Sequence, residues 1–316
     1  MVSDGNKFKI TYLELVFPPI SNQEAFEFKD QPAANYMRQS DFYMIGGKAE
    51  TSFCDVTRIS NWEISININS GDEIVSSGCI NFKKLDSFLN SEHKEKFLRV
   101  DPKEIAITTR TDSKRGYYYI DRFTPENILW HRSRNLNGIT GFDNFRELMV
   151  YDLLYTGIAK VGDSYDRLIK KGHHARLDIL SNEKQRQPGA RVSEEIFLFL
   201  FRLEPLYIFS FGPESPIDID FGYVHKQIVA DAEKAFVSLL KPEYNKERFK
   251  RYPEGKDGLY NSKLDSYAYL IAENFTFITP SGSFSGGNND GHWNFYNDAD
   301  VIFNDKKTTT ILIGDR

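Results

Sequence analysis

Cysteine is scarce in this sequence of 316 residues, which contains Cys54 and Cys79 and no others. So few cysteines exclude a disulfide-stapled scaffold, and without a CxxC pair or a Cys/His cluster a structural zinc site is not expected. We expect the two thiols to be reduced and half-buried, as in a cytoplasmic protein.

Long apolar runs are also missing. The longest uninterrupted run, Ile196–Phe201, is far too short to span a bilayer, and the first residues, MVSDGNKFKI, lack the apolar core of a signal peptide. The sequence therefore predicts a cytoplasmic protein without a membrane partner.

An excess of basic residues is missing as well, since 40 Lys and Arg stand against 45 Asp and Glu, a net charge of -5. This balance excludes a nucleic-acid coat protein that is basic throughout, so any anionic ligand must bind to a local patch. The sequence does contain 40% hydrophobic and 14% aromatic residues, which is enough for a sizeable core. Its length suits two domains of roughly 150 residues each.

Residues 1–110 are predicted to form a β-rich N-terminal domain with a recognition or regulatory role. Alternating stretches such as KFKITYLELVF and NWEISININ are separated by clusters of Ser, Asn, Gly and Asp, a pattern typical of strands and turns. The spacing of Leu85, Phe88, Leu89 and Phe97 predicts one helix in this region, over residues 83–98.

Residues 111–254 are predicted to form a core domain. It opens with a basic and aromatic stretch in which three consecutive tyrosines, Tyr117–Tyr119, predict a strand. Helical spacing follows over residues 142–154, and the piece LLYTGIA then predicts a second strand.

A basic helix, SYDRLIKKGHHARLDIL, is predicted to begin at Asp163 or Ser164 and to place Arg167, Lys171 and His174 on one solvent face. The next segment, EEIFLFLFRLE, is apolar on both faces and predicts a central strand. The segment HKQIVADAEKAFVSLL predicts a helix that stops before a proline. Residues 255–316 are predicted to form a short β-structured tail.

Four residues of the core domain carry chemistry suited to cutting a phosphodiester: Tyr155 in YTG, Arg167 on the basic helix, Glu233 on the last helix and Asn245 in KPEYN. Their types and order resemble the GIY-YIG nuclease family over roughly residues 145–250. The most specific piece is AEKAFVSLLKPEYN, because the metal-binding glutamate of that family sits on a helix that ends in a similar turn.

The resemblance implies an α+β fold in which a small mixed sheet is flanked by helices. The first motif of the family is a GIY strand that lies shortly before YIG. Its nearest candidate here is the GYYY stretch, about forty residues before Tyr155. Either the connection is enlarged and Tyr118 is the first-motif tyrosine, or that tyrosine is missing.

Each residue type has a physical reason. The fork-shaped guanidinium of Arg167 suits the phosphoryl oxygens, and the carboxylate of Glu233 suits one Mg²⁺ or Mn²⁺ that keeps several waters. Tyr155 or His174 could accept the proton of the nucleophile. Asn245 would act through hydrogen bonds that fix the end of the acidic helix.

Local charge favours a polyanionic partner. Residues 160–176 hold five Lys and Arg against two Asp, and residues 241–256 hold six against three Glu, each a net +3. We expect such patches to bind the DNA backbone. The predicted nucleic-acid-binding residues are Lys160, Lys170, Lys171, Arg176 and Lys241.

The sequence thus predicts a divalent-metal-dependent DNA endonuclease, with a role in bacterial restriction or phage defence as a hypothesis and with a protein partner or a second copy possible. Each site residue also has a structural reading, as a solvated charge or a packed ring. Two other functions stay open. One is a catalytically silent scaffold that binds nucleic acid or a protein, and the other is a ligand-sensing protein with its site in the N-terminal region or around His292 and Trp293.

Overall fold

The computed structural model describes residues 7–110, 116–209, 223–287 and 298–315, and these form two compact units. Unit 1 comprises the described residues of Met1–Lys48, Tyr151–Lys184 and Val192–Arg316, and unit 2 comprises those of Ala49–Val150 and Gln185–Arg191. The expected boundaries were 110/111 and 254/255. In the structure the chain leaves unit 1 after Lys48 and returns to it at Tyr151.

Strands are more numerous than helices in both units. In chain order the described strands are β1 (Lys7–Leu15), β2 (Ile20–Ser21), β3 (Phe42–Gly47), β4 (Thr51–Ser60), β5 (Glu63–Ser70), β6 (Glu73–Asn81), β7 (Phe97–Val100), β8 (Ile105–Arg110), β9 (Tyr117–Phe123), β10 (Ile139–Gly141), β11 (Val150–Ile158), β12 (Ile196–Phe209), β13 (Ser266–Ile271), β14 (Thr276–Thr279), β15 (Gly282–Ser285), β16 (Val301–Asn304) and β17 (Thr309–Leu312). The described α-helices are α1 (Asn22–Glu27), α2 (Ala34–Met37), α3 (Asp86–Leu89), α4 (Pro125–Ser133), α5 (Phe145–Leu148), α6 (His174–Asn182), α7 (Val192–Glu195) and α8 (His225–Leu240).

Unit 1 is built on one large, curled, mixed sheet in the order β15-β14-β11-β3-β12-β1-β13-β16-β17, with β2 paired to β12 outside this order. The prediction of a small mixed sheet flanked by helices is therefore wrong. Strand β1 pairs antiparallel with β12 and parallel with β13. The N-terminal strand and the predicted C-terminal tail thus extend the central sheet instead of forming separate structures.

The predicted buried central strand and the predicted last helix are both confirmed. Strand β12 runs between β3 and β1, and its residues from Ile196 to Phe201 are buried on both faces. Helix α8 has the predicted extent, and it ends where Lys241 adopts a left-handed conformation, φ 52°, directly before Pro242.

Both faces of this sheet are covered. The face that carries Tyr43 and Ile45 packs against residues of α1, α2 and α6, including Ala25, Met37 and Ile179. On the opposite face the rings of Phe42 and Phe236 lie 5.8 Å apart, which seats α8 against β3, and Phe284 packs against Phe236 at 5.4 Å. The central strands β11, β3 and β12 are thus held rigidly between two layers of side chains.

Unit 2 contains a four-stranded sheet in the order β10-β6-β5-β4 and a three-stranded sheet in the order β7-β8-β9. The predicted strand at Tyr117–Tyr119 is confirmed as the start of β9. The predicted helix over residues 83–98 is wrong, because the chain forms a 3₁₀ turn at Phe82–Lys84, the single turn of α3, and then β7. Cross-strand pairing with β8 takes Phe97 into a sheet.

Helical structure over residues 142–154 is limited to α5, and β11 begins at Val150. Both cysteines are half-buried free thiols, as expected. No helix in the described part of the chain is long and apolar enough to cross a membrane. His292 and Trp293, the residues of the ligand-sensing alternative, lie outside the described ranges.

Candidate active site

Two tyrosines on neighbouring strands form the centre of the candidate site. Strands β3 and β11 are antiparallel, and a bulge at Leu154 brings Tyr155 opposite Ile45. Because Tyr155 lies opposite Ile45, and Tyr43 is two residues from Ile45 on β3, Tyr155 shares the face of Tyr43. The two rings stack with centroids 6.0 Å apart and planes 24° apart. Tyr43 is fully buried, whereas Tyr155 is half-buried and accessible.

The glycine of the YTG piece makes room for this pair. Gly157 lies directly opposite Tyr43 across the two strands. A Cβ atom on Gly157 would lie 2.7 Å from the Tyr43 hydroxyl oxygen and 2.7 Å from Cε1 of Tyr155. Any larger residue would push at least one ring aside, so the stacked pair requires glycine at this position.

A histidine completes the aromatic group. The Nε2 atom of His173 lies 3.0 Å from the Tyr43 hydroxyl, and its ring packs edge-on against Tyr155 with centroids 5.2 Å apart. Burial lowers the pKa of His173 to about 4, and the neighbouring charge of Arg167 lowers it further. The imidazole is therefore neutral at physiological pH, and it can accept a hydrogen bond from Tyr43.

Arg167 lies in a π-helical turn, Asp166–Lys170, whose start is fixed by the Asp163 carboxylate accepting the Asp166 N–H at 2.8 Å. Such turns are often found at functional sites. Within the described chain the guanidinium has no hydrogen bond or ion pair, yet its charge acts on both phenols and on His173. A free, half-buried guanidinium is a ready site for an anion.

Glu233, on α8, interacts electrostatically with the same two phenols and with Arg167. Burial raises its pKa to about 7, while Lys160, Arg167 and Lys234 oppose this effect. In the described chain its carboxylate has no hydrogen bond or ion pair of its own. The carboxylate in turn contributes to the raised pKa of Tyr43 and of Tyr155, for both of which burial is the main cause. Tyr155, Arg167 and Glu233 thus influence one another electrostatically, and the rings of Tyr43 and His173 contact Tyr155.

Asn245 ties the end of α8 to the strand of Tyr155. Its side-chain amide accepts a hydrogen bond from the Thr156 N–H at 2.9 Å and donates one to the Thr156 carbonyl at 2.8 Å. The neighbouring Tyr244 N–H adds a bond to the Leu154 carbonyl at 3.0 Å. Asn245 is buried. These bonds fix the segment after α8, the helix of Glu233, to the strand that carries Tyr155.

Three predicted site residues have other surroundings. Tyr118 belongs to unit 2, on β9, and the tyrosine stacked on Tyr155 is Tyr43. His174 is exposed, and His173 contacts the phenols instead. Arg176 is buried, where it donates to the side-chain oxygen of Asn22 and to a backbone carbonyl, so its guanidinium serves the interior of unit 1 and not a nucleic acid.

The other predicted nucleic-acid-binding residues are exposed. These are Lys160, Lys170, Lys171 and Lys241. The loop after α8 adds a groove of about 680 Å³ next to Lys234, the neighbour of Glu233 along the helix. Basic side chains outnumber acidic ones in its lining, which includes Lys234, Lys246, Arg248, Lys250, Arg251, Glu247, Glu254 and Asp257. The phosphates of a nucleic acid bound at Glu233 would meet mostly basic side chains along this loop.

A divalent cation would have to be held mainly by Glu233. No group of three or more His, Cys, Asp or Glu side chains in the described ranges is placed to hold a metal ion. Mg²⁺ commonly binds through one or two carboxylates while keeping waters and taking substrate oxygens. A half-buried carboxylate without a protein cation on it, and with a raised pKa, fits such a site.

Sequence reasoning missed Tyr43 and His173. The signal for Tyr43 was present in the strand FYMIGG, in which the tyrosine precedes an Ile-Gly pair, yet it lies over a hundred residues before Tyr155. His173 was missed because a continuous helix was assumed. Gly172 adopts a left-handed conformation, φ 67°, and interrupts the helix, so the positions after it no longer keep the assumed phase.

No family model, no curated protein and no solved structure matches the chain.

Proposed function

We propose that the chain is a divalent-metal-dependent endonuclease that hydrolyses DNA phosphodiester bonds at the site around Tyr155. The observation that carries the proposal is the convergence of two stacked phenols, a free guanidinium and a half-buried carboxylate. These groups lie on separate segments of the chain. Together they offer what phosphodiester hydrolysis uses: a cation for the phosphoryl oxygens, a carboxylate for a metal ion and hydroxyl groups that can orient a water.

The similarity to GIY-YIG nucleases supports this assignment. With Tyr43 as the first-motif tyrosine, the order Tyr43, Tyr155, Arg167, Glu233 and Asn245 follows the order of the family's residue types. The large gap before Tyr155 is then the insertion of unit 2 between two adjacent strands. Tyr43 replaces Tyr118 in this proposal.

Each residue has a distinct role. Arg167 binds the scissile phosphate and balances the charge that develops on its oxygens. Tyr155, the accessible phenol, orients the attacking water. Tyr43 and His173 hold the Tyr155 ring, and the His173 imidazole accepts a hydrogen bond from the Tyr43 hydroxyl. Glu233 would hold Mg²⁺ or Mn²⁺, which stabilises negative charge on the phosphate and the leaving oxygen when bound.

The test is cleavage of supercoiled plasmid by the full chain with Mg²⁺, with Mn²⁺ and with EDTA. We expect nicking with either cation and none with EDTA. Glu233→Gln and Arg167→Lys should each slow nicking at least a hundredfold while leaving the thermal unfolding curve cooperative. Glu243→Gln, a change in an exposed glutamate of the following loop, is the matched control and should cut at the rate of the unaltered chain.

The outcomes separate the alternatives. Nicking that survives both site substitutions would contradict the proposed site. Binding of plasmid without nicking under every metal condition would favour the catalytically silent scaffold. A role in restriction or phage defence belongs to the same proposal, and it predicts that cells producing the Glu233→Gln variant lose any protection from foreign DNA that the unaltered chain gives.

A further inference from the structure

The three-stranded sheet of unit 2 exposes an aromatic and basic surface that the proposed cleavage site does not use. Strands β7, β8 and β9 are antiparallel, with Phe97 opposite Thr108 and Thr108 opposite Tyr119. Residues that lie directly opposite each other share a face. Phe97 and Tyr119 are therefore on one side of this sheet.

Two arginines and a second tyrosine lie on the same face. Arg110 is opposite Tyr117 at the end of the β8–β9 pair, and Arg99 is two residues beyond Phe97 on β7. Tyr117 and Tyr119 are 56% and 42% exposed, and both arginines are exposed. We call these five residues, Phe97, Arg99, Arg110, Tyr117 and Tyr119, the aromatic platform.

Contacts within the platform hold the rings in place. Phe97 and Tyr117 meet edge-on with centroids 6.4 Å apart, and the Arg110 guanidinium lies over the Phe97 ring at 5.0 Å. Neither Arg99 nor Arg110 forms an ion pair with a carboxylate in the described chain. Exposed rings next to exposed guanidiniums offer both a stacking surface and positive charge, which suits a ligand that carries both aromatic rings and negative charge.

We infer that the aromatic platform binds single-stranded nucleic acid. Bases stack on tyrosine rings, and the arginines meet the phosphates between them. Two residues along a strand place Tyr117 and Tyr119 about 7 Å apart, roughly twice the 3.4 Å spacing of bases along one strand of a duplex. Only a strand with unstacked bases can lay neighbouring bases on both rings.

Tyr118 supplies a matched control. It is 53% exposed but points to the opposite face, since it pairs with Thr109 and its ring lies 6.0 Å from His93. Tyr118→Ala therefore removes an exposed tyrosine from the same strand and leaves the aromatic platform intact. The inference concerns unit 2 and holds whether or not unit 1 cuts DNA.

The experiment is fluorescence anisotropy of labelled dT12, rU12 and a 12-base-pair duplex with the full chain in EDTA, which prevents metal-dependent cleavage. We expect dT12 and rU12 to bind through the aromatic platform, whereas any binding of the duplex should not depend on the platform. The double substitution Tyr117→Ala with Tyr119→Ala should weaken dT12 binding at least tenfold, because two stacking rings are lost. Tyr118→Ala should change it less than twofold.

Two further arms keep the result interpretable. Tyr117→Phe with Tyr119→Phe keeps both rings and should retain the affinity, which separates stacking from misfolding. Arg110→Ala should weaken binding and reduce its salt dependence, because one phosphate contact is lost. The inference is overturned if dT12 does not bind, if the double substitution weakens duplex binding as much as dT12 binding, or if Tyr118→Ala weakens dT12 binding as much as the double substitution.

Discussion

Removing the charge of Glu233 should stabilise the metal-free protein at alkaline pH. Burial raises the pKa of this carboxyl from 4.5 to about 7. The charged form of Glu233 therefore lowers the free energy of unfolding. That difference corresponds to about 3 kcal/mol at 1.4 kcal/mol per tenfold change. Because the side chain is partly exposed and solvent screens it, we expect about 2 kcal/mol. Glu233→Gln keeps the shape and removes the charge.

The sign of the pH dependence follows from proton binding. Between pH 4.5 and 7 the folded chain keeps the Glu233 proton while the unfolded chain has released it, so this group makes the free energy of unfolding fall as pH rises. The effect is complete above pH 7. The Glu233→Gln variant should therefore match the unaltered chain near pH 4 and exceed it by about 2 kcal/mol at pH 8.5.

Urea unfolding at a series of pH values, followed by circular dichroism in EDTA, measures this difference. Glu243→Gln, which removes an exposed carboxylate of the loop after α8, is the control. Added Mg²⁺ should stabilise the unaltered chain at pH 8.5 and leave Glu233→Gln unchanged, because bound metal compensates the buried charge. A stability difference that does not vary with pH, or an unaltered chain that is the more stable at pH 8.5, would refute the reasoning.

Three other substitutions test the geometry of the site. Asn245→Ala leaves the N–H and the carbonyl of Thr156 without these bonds and should lower the free energy of unfolding by about 2–4 kcal/mol in urea, and Asn245→Asp, which turns an oxygen toward the Thr156 carbonyl in a buried position, should not rescue it. Gly157→Ala should cost about 1–3 kcal/mol through overlap with the two rings and slow plasmid nicking, while Gly255→Ala, whose Cβ would meet only a flexible lysine end, should do neither. His173→Ala should slow single-turnover cleavage at least tenfold and His174→Ala less than twofold, and equal effects would contradict the assignment of the imidazole.

Local structure was predictable where one segment carries its own signal. Helix α8 was placed correctly because its apolar stripe is continuous and Pro242 cannot extend it. Strand β12 was placed correctly because apolar residues on both faces require a central position. In both cases the information lies within about sixteen residues.

The size of the sheet was not predictable in this way, because it depends on pairing between distant segments. Strand β1 pairs with residues near 205 and near 268. The alternation of apolar and polar residues within β1 does not identify these partners. The candidate site shows the same division. Tyr155, Arg167 and Glu233 were identified from local motifs, whereas Tyr43 lies before the whole of unit 2 in the chain and was recognised only from the register of β3 and β11.

The central claim is that Tyr43 and Tyr155, on adjacent strands, form one catalytic site with Arg167 and Glu233. The most direct measurement compares the single-turnover cleavage rate of Tyr43→Phe with that of Tyr118→Phe, using a labelled DNA duplex with Mn²⁺ at pH 8. We expect Tyr43→Phe to fold normally and to cut roughly a hundredfold more slowly, and Tyr118→Phe to cut at the rate of the unaltered chain. Normal cleavage by Tyr43→Phe together with a large loss in Tyr118→Phe would contradict the account.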